Sequence, residues 1–335
     1  MSVAGTSPAE AARPPRKAGL WERVVRRPQS LWVRRAIFQI HLWTGIAAGL
    51  YILVVSVTGS VLVFRVELSR AFTPPPIIVK VSGSPFSEAA LTDIVRRAYP
   101  GYQVTQVFIS EKDPTRPAEV WFERRGSKKQ QLFDPYTGAD LGPAITLGFR
   151  TVSWMLDLHD NLLAGQTGRL VNGIGGLFLT LLCLTGTVIW WPGIKTWHRG
   201  LLLRWSVNWK RLTWDLHNVV GFWTFALVFI WAFTGVYLVF QQAFAAVVDY
   251  LQPYPPNEEI FAPRLGDRIF TWFGRLHFGR YGGMPMKIAW AIFGLAPPIL
   301  FVTGAIMWWN RVLRHGVRQS NEGIQPMSSP GLFLN

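Results

Sequence analysis

The chain has 335 residues, of which 50% are hydrophobic and 16% charged, and its formal net charge is +15. This composition excludes a disordered or fibrous protein. A mean hydropathy of +0.21 together with 17 tryptophans indicates a membrane protein. We therefore expect a lipid bilayer as the surroundings and no nucleic-acid partner, and we interpret the basic excess by its position along the chain.

Four stretches lack Asp, Glu, Lys and Arg and are long enough to cross a hydrocarbon core, which takes ~20 helical residues. They are Ala36–Phe64, Leu170–Ile194, Leu216–Val248 and Ile288–Asn310. The segments on one side of these stretches hold 16 Lys and Arg against 3 Asp and Glu. The positive-inside bias therefore predicts a multi-pass protein with both termini in the cytoplasm.

The sequence predicts an all-α membrane bundle of four transmembrane helices with a small α+β insert outside the membrane. Within the insert, Ser87–Tyr99 has helical spacing, and Val104–Ser110, Ala118–Glu123 and Gln130–Phe133 are predicted strands. In chain order, the predicted segments are a cytoplasmic tail 1–35, a first span 36–64, a periplasmic insert 65–146, an interfacial helix 147–167, a second span 168–194, a cytoplasmic loop 195–213, a third span 214–246, a periplasmic loop with an interfacial helix 247–285, a fourth span 286–310 and a cytoplasmic tail 311–335.

An internal duplication indicates that the bundle is a repeated two-helix unit. His41–Phe64 aligns without gaps with His217–Phe240, and Leu147–Trp191 aligns with Leu265–Trp309. Both alignments keep a histidine and a Thr-Gly pair in register. Units that run in the same direction are related by an axis along the membrane normal. The histidine pairs that this axis would bring together are His41 with His217, and His159 with His277.

Each histidine of the first pair is followed four residues later by a glycine, Gly45 or Gly221, on the same helix face. These glycines leave a side-chain-free patch on which a flat macrocycle could lie. Two imidazoles from facing helices can hold a haem iron in an apolar pocket and suit electron transfer. We therefore expect two haems, whose axial ligands are His41 with His217 and His159 with His277.

Other interpretations of these histidines are available. The glycines could only allow close helix packing, with the imidazoles bonding across helices. Zinc would need Cys, Asp or Glu beside the imidazoles, and none clusters with His41 or His217. Because Cys183 is the single cysteine, a thiolate iron–sulfur site is excluded.

Basic residues and small polar residues accompany the predicted outer haem. Arg150 and Arg268, and the repeat pair Arg169 and Lys287, could neutralise haem propionates, with interfacial snorkelling as the alternative. His198 and His315 have no repeat partner and are interpreted as surface groups. One Thr-Gly pair occurs in each span and is interpreted as a site of close helix packing; the pairs are Thr58-Gly59, Thr185-Gly186, Thr234-Gly235 and Thr303-Gly304. Pro297-Pro298 should kink the fourth helix.

Several of these motifs occur together in one known family. They are His41-x3-Gly45 ending in Thr58-Gly59, Leu158-His159 leading to Thr185-Gly186 and Trp190-Trp191, Asp215-Leu216-His217, and the stretch Phe133–Gly138. From Leu31 to Arg311 the chain resembles the PepSY-associated transmembrane proteins, which include ferric-siderophore reductases, and Phe133–Gly138 looks like the end of a PepSY domain.

The resemblance implies a bacterial inner-membrane protein with haem b that carries electrons to ferric siderophores in the periplasm and releases ferrous iron. Some family members carry a flavin-binding reductase domain, which is not expected in this chain. The electron donor, a cytoplasmic reductase or a quinol, therefore stays open.

Two other functions are weighed against this one. The protein could be a non-enzymatic sensor or accessory protein whose PepSY-like insert regulates a periplasmic peptidase or a transporter; the histidines would then be packing groups. It could also be a haem protein that exchanges electrons with quinone in place of a metal chelate.

Overall fold

The computed structural model describes residues 20–26, 28–254 and 263–313, so most of the two predicted tails, including His315, lies outside the described residues. The described chain is mostly helical with one small sheet. Its elements are α1 Leu20–Arg26, α2 Trp32–Leu62, α3 Arg65–Phe72, α4 Glu88–Ala98, β1 Gln103–Phe108, β2 Ala118–Arg124, β3 Ser127–Phe133, β4 Asp140–Pro143, α5 Leu147–Asn161, α6 Gly165–Trp190, α7 Trp209–Val239, α8 Gln241–Leu251, α9 Leu265–Phe278, α10 Gly283–Phe293 and α11 Ala296–Trp308.

Among the described residues, four helical segments are long and apolar enough to cross a membrane. They are α2, α6, α7 and the stretch Gly283–Arg311, which contains α10 and α11. Each exceeds the ~20 residues that a helical span requires. The prediction of a multi-pass membrane protein is therefore confirmed.

The fourth span is interrupted between Phe293 and Ala296. The interruption directly precedes Pro297 and Pro298, which occupy the first turn of α11. Proline lacks the backbone N–H that would continue the helical hydrogen bonding, so it is tolerated at a helix start and not in a helix interior. The break thus occurs where the prolines predicted a kink.

The chain divides into two units, which we describe separately. The sheet unit comprises Val57–Asn172 and Gly279–Ala291. The helical unit comprises the described residues up to Ser56, the described part of Gly173–Phe278 and the described residues from Ile292 onward.

The sheet unit is built on an antiparallel sheet in the order β1-β2-β3-β4. Helix α4 packs on β1, and alternate side chains of β2 point into the core, as expected for a sheet with one covered face. A two-residue turn at Arg125-Gly126 joins β2 to β3, and both turn residues have positive φ. The fully buried core side chains are Leu91, Val95, Ala118, Val120, Phe122 and Phe133.

The helical unit is organised around α7. This helix packs along α11 and against α9. Lipid can cover the apolar surface of this helix in a bilayer, but its few buried polar side chains must find hydrogen-bond partners within the protein. The buried threonines Thr224 and Thr234 do this by donating to the backbone carbonyls of Val220 and Ile230.

Candidate functional site

His41 lies on α2 and contacts a Thr-Gly pair on α6. Its Nδ1 is 2.9 Å from Oγ1 of Thr185, and the backbone of Leu182 also hydrogen-bonds to the imidazole. A Cβ placed on Gly186 would lie 3.2 Å from the imidazole Cε1. Glycine at this position therefore lets the edge of the ring approach the helix backbone.

His217 repeats this arrangement on α7 and α11. Its Nδ1 is 2.9 Å from Oγ1 of Thr303, the backbone of Leu300 hydrogen-bonds to the ring, and a Cβ on Gly304 would lie 3.4 Å from Cε1. The rings of His41 and His217 are near enough for an electrostatic interaction between them. The structure thus places the two imidazoles of the first predicted pair in one region of the helical unit, and their shared ligation stays a prediction.

His277 lies near the end of α9 and contacts a third Thr-Gly pair on α7. Its Nδ1 is 3.0 Å from Oγ1 of Thr234, and a Cβ on Gly235 would lie 3.4 Å from Cε1. Aromatic side chains surround this end of α7, with ring centroids 4.7–6.1 Å apart among Phe233, Tyr237, Phe244, Phe270 and Phe273.

His159 occupies the equivalent place in the sheet unit, on α5. Its Nδ1 is 3.2 Å from Oγ1 of Thr58, and a Cβ on Gly59 would lie 2.8 Å from Cε1. The side-chain amide of Asn172 donates to the backbone carbonyls of His159 and Asp160, at 2.8 and 3.0 Å, which fixes the end of α5. His159 and His277 belong to different units, so their pairing stays a prediction.

The Thr-Gly pairs have a role that sequence reasoning missed. The interpretation of these pairs as sites of close helix packing was incomplete, because each pair also contacts one histidine through the threonine hydroxyl and the glycine backbone. The sequence held a signal for this role: four Thr-Gly pairs, one in each span, accompany four repeated histidines. In all four histidines, Nδ1 is the ring nitrogen that faces the threonine hydroxyl.

Gly45 and Gly221 differ from the other span glycines in how much room they have. A Cβ on either would meet a leucine methyl, Cδ2 of Leu182 at 3.7 Å or of Leu300 at 3.6 Å, which is ordinary van der Waals contact. On Gly49, in contrast, it would lie 2.0 Å from the ring of Phe301. The packing of the chain itself therefore requires glycine at 49 but not at 45 or 221.

Arg150 and Arg268 do not share a helix face with the histidines of their helices. Each precedes its histidine, His159 or His277, by nine residues, which is two and a half turns of α-helix and places the side chains on opposite faces. Both arginines are exposed. The geometry therefore does not favour either arginine as a partner of a group held by its histidine.

The other two basic residues predicted near haem propionates form ion pairs with the protein. Nη1 of Arg169 is 2.9 Å from a carboxylate oxygen of Asp160. Nζ of Lys287 is 2.5 Å from Oε1 of Glu67, and donation by this ammonium lowers the pKa of the Glu67 carboxyl. Both side chains thus have carboxylate partners in the sheet unit.

Arg34 is a basic residue that sequence reasoning assigned to the cytoplasmic tail. It lies in α2, seven residues before His41, and a separation of two turns puts both on the same helix face. Its Nη2 donates to the carbonyl of Ile189. Its Nη1 is buried and has no hydrogen-bond partner among the described residues. A buried guanidinium nitrogen of this kind calls for an acceptor.

Two further features complete the neighbourhood of His217. Asp215, two residues earlier, is 3% exposed; it accepts from Nε of Arg204 at 3.1 Å and forms an ion pair with Arg211, whose Nε is 3.0 Å away, which anchors the preceding loop to the start of α7. Trp190 stacks on Phe222 with ring centroids 4.4 Å apart. His198 is exposed, as predicted.

The known proteins that this chain resembles support a membrane role. The family model for the PepSY-associated TM region matches residues 38–311, which contain all four histidines and all four Thr-Gly pairs. The chain belongs to this family. A segment of 84 residues of this chain is 32% identical to an uncharacterized protein of Pseudomonas aeruginosa, and the match covers 24% of this chain and 20% of that relative. The match thus spans about a fifth of the relative's length.

Proposed function

We propose that this protein is a dihaem b oxidoreductase of the bacterial inner membrane. It would pass electrons from the cytoplasmic side or the membrane to a periplasmic ferric siderophore and release ferrous iron. One haem would be held by His41 and His217 and the other by His159 and His277. The observation that carries this proposal is the shared geometry of the four histidines, each with Nδ1 against the threonine of a Thr-Gly pair.

The donor set fits a haem better than a bare metal ion. Among the residues described here, no three His, Cys, Asp or Glu side chains come together as such an ion would require. His41 and His217, which lie near one another, supply two imidazoles on two helices. A haem needs only these two protein ligands, because its macrocycle supplies the other four. When bound in this way it supplies one-electron transfer and leaves no coordination position for substrate.

The chain's own residues match the remaining parts of such a ligand. Gly45 and Gly221 add no side chain of their own to the helix face that bears each imidazole, although packing does not demand glycine at these positions. Arg34, on the face of His41, offers a buried Nη1 that a propionate oxygen would satisfy. The stacked rings of Trp190 and Phe222 help to exclude water from this end of the helical unit.

Two levels of histidine suit transfer of electrons across a bilayer. His217 and Thr234, the partner of His277, are both on α7 and are separated by 17 residues. At 1.5 Å per residue this places them about 25 Å apart along the helix, close to the ~30 Å thickness of a hydrocarbon core. The two histidine levels thus lie near opposite ends of the span.

Reduction of the metal provides a physical means of release. Siderophores hold iron through hard oxygen ligands, which bind ferric iron more strongly than ferrous iron. An electron delivered to the chelate therefore loosens its iron without any bond in the siderophore being cut. The assignment of a siderophore as acceptor rests on the family resemblance, and the electron donor is a cytoplasmic reductase or a quinol.

Single histidine variants test the ligand assignment. His217→Ala and His277→Ala should each remove about one haem per chain while the protein still inserts in the membrane. His198→Ala, at an exposed histidine without a Thr-Gly partner, is the matched control and should retain both haems. Equal haem content in all three variants would refute the assignment. A colourless wild-type protein would favour a sensor or accessory role instead.

A further inference from the structure

The threonine hydroxyls beside the histidines donate their protons to backbone carbonyls of their own helices. Thr185 donates to the carbonyl of Leu181 at 2.7 Å, and Thr303 donates to that of Ile299 at 2.7 Å. Thr234 does the same to Ile230 at 2.6 Å. A hydroxyl has one proton to donate and two lone pairs that accept. Toward the imidazole, each of these hydroxyls can therefore only accept.

Because the hydroxyl donates to the backbone, it determines which nitrogen of the imidazole carries the proton. In neutral histidine one ring nitrogen carries the proton and the other carries a lone pair. If Nδ1 of His217 carried the lone pair, it would face a hydroxyl oxygen that has no proton left to give. The backbone of Leu300, which also hydrogen-bonds to this ring, offers a carbonyl that accepts as well. Nδ1 therefore carries the proton, and Nε2 carries the lone pair.

We infer that Thr185, Thr303 and Thr234 are positioning residues that hold His41, His217 and His277 in the Nδ1–H tautomer and so make Nε2 the metal-binding atom. Thr58 occupies the same place against His159. The tautomer itself does not depend on the ligand, but its consequence for redox chemistry rests on the proposed function. A histidine that donates from its distal nitrogen is a more basic ligand, and greater basicity favours ferric over ferrous iron. The threonines would thus lower the midpoint potential of each haem.

Nitrogen NMR of the full-length, haem-free protein tests the tautomer directly. With histidine labelled by ¹⁵N, Nδ1 of His217 should give the shift of a protonated ring nitrogen and Nε2 that of an unprotonated one. Thr303→Val, which keeps the shape and removes the hydroxyl, should shift His217 toward a mixture of tautomers. Thr303→Ser should restore the wild-type signals, which also guards against a misfolded valine variant.

A buried threonine without a histidine partner provides the matched control. Thr224 is on α7 and donates to the carbonyl of Val220 at 2.7 Å, so Thr224→Val removes a similar hydroxyl. It should leave the signals of His217 unchanged. A protonated Nε2 in the wild-type protein, or a Thr303→Val spectrum identical to the wild type, would overturn the inference.

The redox consequence is measured separately in haem-loaded protein. In the double variant Thr185→Val/Thr303→Val, binding of ferric relative to ferrous haem at the His41–His217 site should weaken by about tenfold. Loss of a hydrogen-bond partner of a metal-bound histidine typically lowers metal affinity by about 10- to 100-fold. We expect the smaller effect because the backbone carbonyls that also accept from the rings remain. For a one-electron couple this is a rise of about 59 mV in midpoint potential. An unchanged potential in a variant that keeps its haem would overturn the tuning role. A wild-type protein that binds no haem would instead refute the proposed function and leave the NMR result to decide the tautomer.

Discussion

At Gly45 and Gly221, the needs of the fold and those of a bound macrocycle can be separated. Changing both to alanine should stabilise the haem-free protein by up to about 1 kcal/mol each, because glycine is the poorer helix former and the added methyl groups make only ordinary contacts. The same change should lower haem content by filling the space beside the imidazoles. Thermal unfolding and haem content measure the two effects.

Gly49→Ala is the contrasting variant for this prediction. Its Cβ would lie 2.0 Å from the ring of Phe301, so it should destabilise the helical unit whether or not haem is bound. Full haem content in the Gly45→Ala/Gly221→Ala protein would show that no macrocycle lies against these glycines.

Arg34 is a second residue at which haem binding can be tested. Loss of a hydrogen bond between its buried Nη1 and a propionate should weaken haem retention in Arg34→Ala by roughly tenfold, since such charged bonds contribute about 1.5 kcal/mol or more. Transfer of haem to an excess of a scavenging protein measures this. The neighbouring exposed Arg35 gives the control, and equal transfer rates in Arg34→Ala and Arg35→Ala would contradict the assignment.

At this scale the sequence identified the histidines but not the residues that orient them. Repetition made His41, His217, His159 and His277 visible. The contacts between histidines and threonines could not be predicted from the sequence, because His41 and Thr185 are 144 residues apart and only the fold brings them together. Arg34 falls in the predicted cytoplasmic tail 1–35, although its spacing of seven residues from His41 places both on one helix face.

Helix α9, which holds His277, is secured at its start by Arg264. The guanidinium donates to Asp249 at 2.7 Å and to Asp267 at 3.0 Å, and it lies over the ring of Tyr254, 4.0 Å from the centroid. It therefore ties the end of α8 to the first turn of α9. The bonds from Arg264, and one from Tyr254, hold the pKa of Asp267 below its usual range.

The contacts of Arg264 with Asp249, Asp267 and Tyr254, which we call the Arg264 clamp, predict a pH dependence and a variant effect. Because the folded pKa of Asp267 is depressed, its contribution to stability is present above the unfolded value of about 3.9. That contribution is lost as pH falls through the lowered folded value. Arg264→Ala should lower the unfolding temperature at neutral pH and flatten the acid limb of a stability–pH curve. It should also reduce haem bound through His277.

Arg268→Ala is the control for the clamp, since Arg268 is exposed on the same helix. It should leave stability and haem content unchanged. A loss of haem in Arg268→Ala would restore the interpretation of that residue as a propionate partner, and a wild-type acid limb in Arg264→Ala would contradict the clamp.

Among the elements, the sequence pattern predicted the four spans and three of the four strands. The spans followed from runs without charge, and three strands of the insert followed from short segments separated by Pro, Gly and Lys turns. Strand β4, Asp140–Pro143, was not predicted. Its sequence, Asp-Leu-Gly-Pro, has no β-branched or aromatic residue, and pairing with β3 provides what local propensity does not.

For the whole molecule, we expect electron transfer across a closed membrane. Liposomes containing the haem-loaded protein, with a ferric hydroxamate chelate on one side and a membrane-impermeant reductant on the other, should form ferrous iron on the chelate side. A ferrous-specific dye measures the rate. His217→Ala liposomes should be near the rate of protein-free vesicles, and the same rate in all three preparations would contradict transmembrane transfer.

The membrane architecture and the family could be predicted from sequence because long apolar runs and repeated motifs persist along the chain. The duplication is an inference from sequence alone. So are the side of the membrane that each loop faces and the acceptor of the electrons. The sidedness and the electron acceptor depend on partners and on the bilayer, whose chemistry the fold of one chain does not encode.

The most direct test of the central claim is the haem content of the purified full-length protein. We would record oxidised and dithionite-reduced absorption spectra in detergent and count haem per chain by pyridine haemochrome. Four histidines in two axial pairs predict about two b-type haems, with sharp bands on reduction typical of two imidazole ligands. A protein that stays colourless after expression with ample haem would contradict the account.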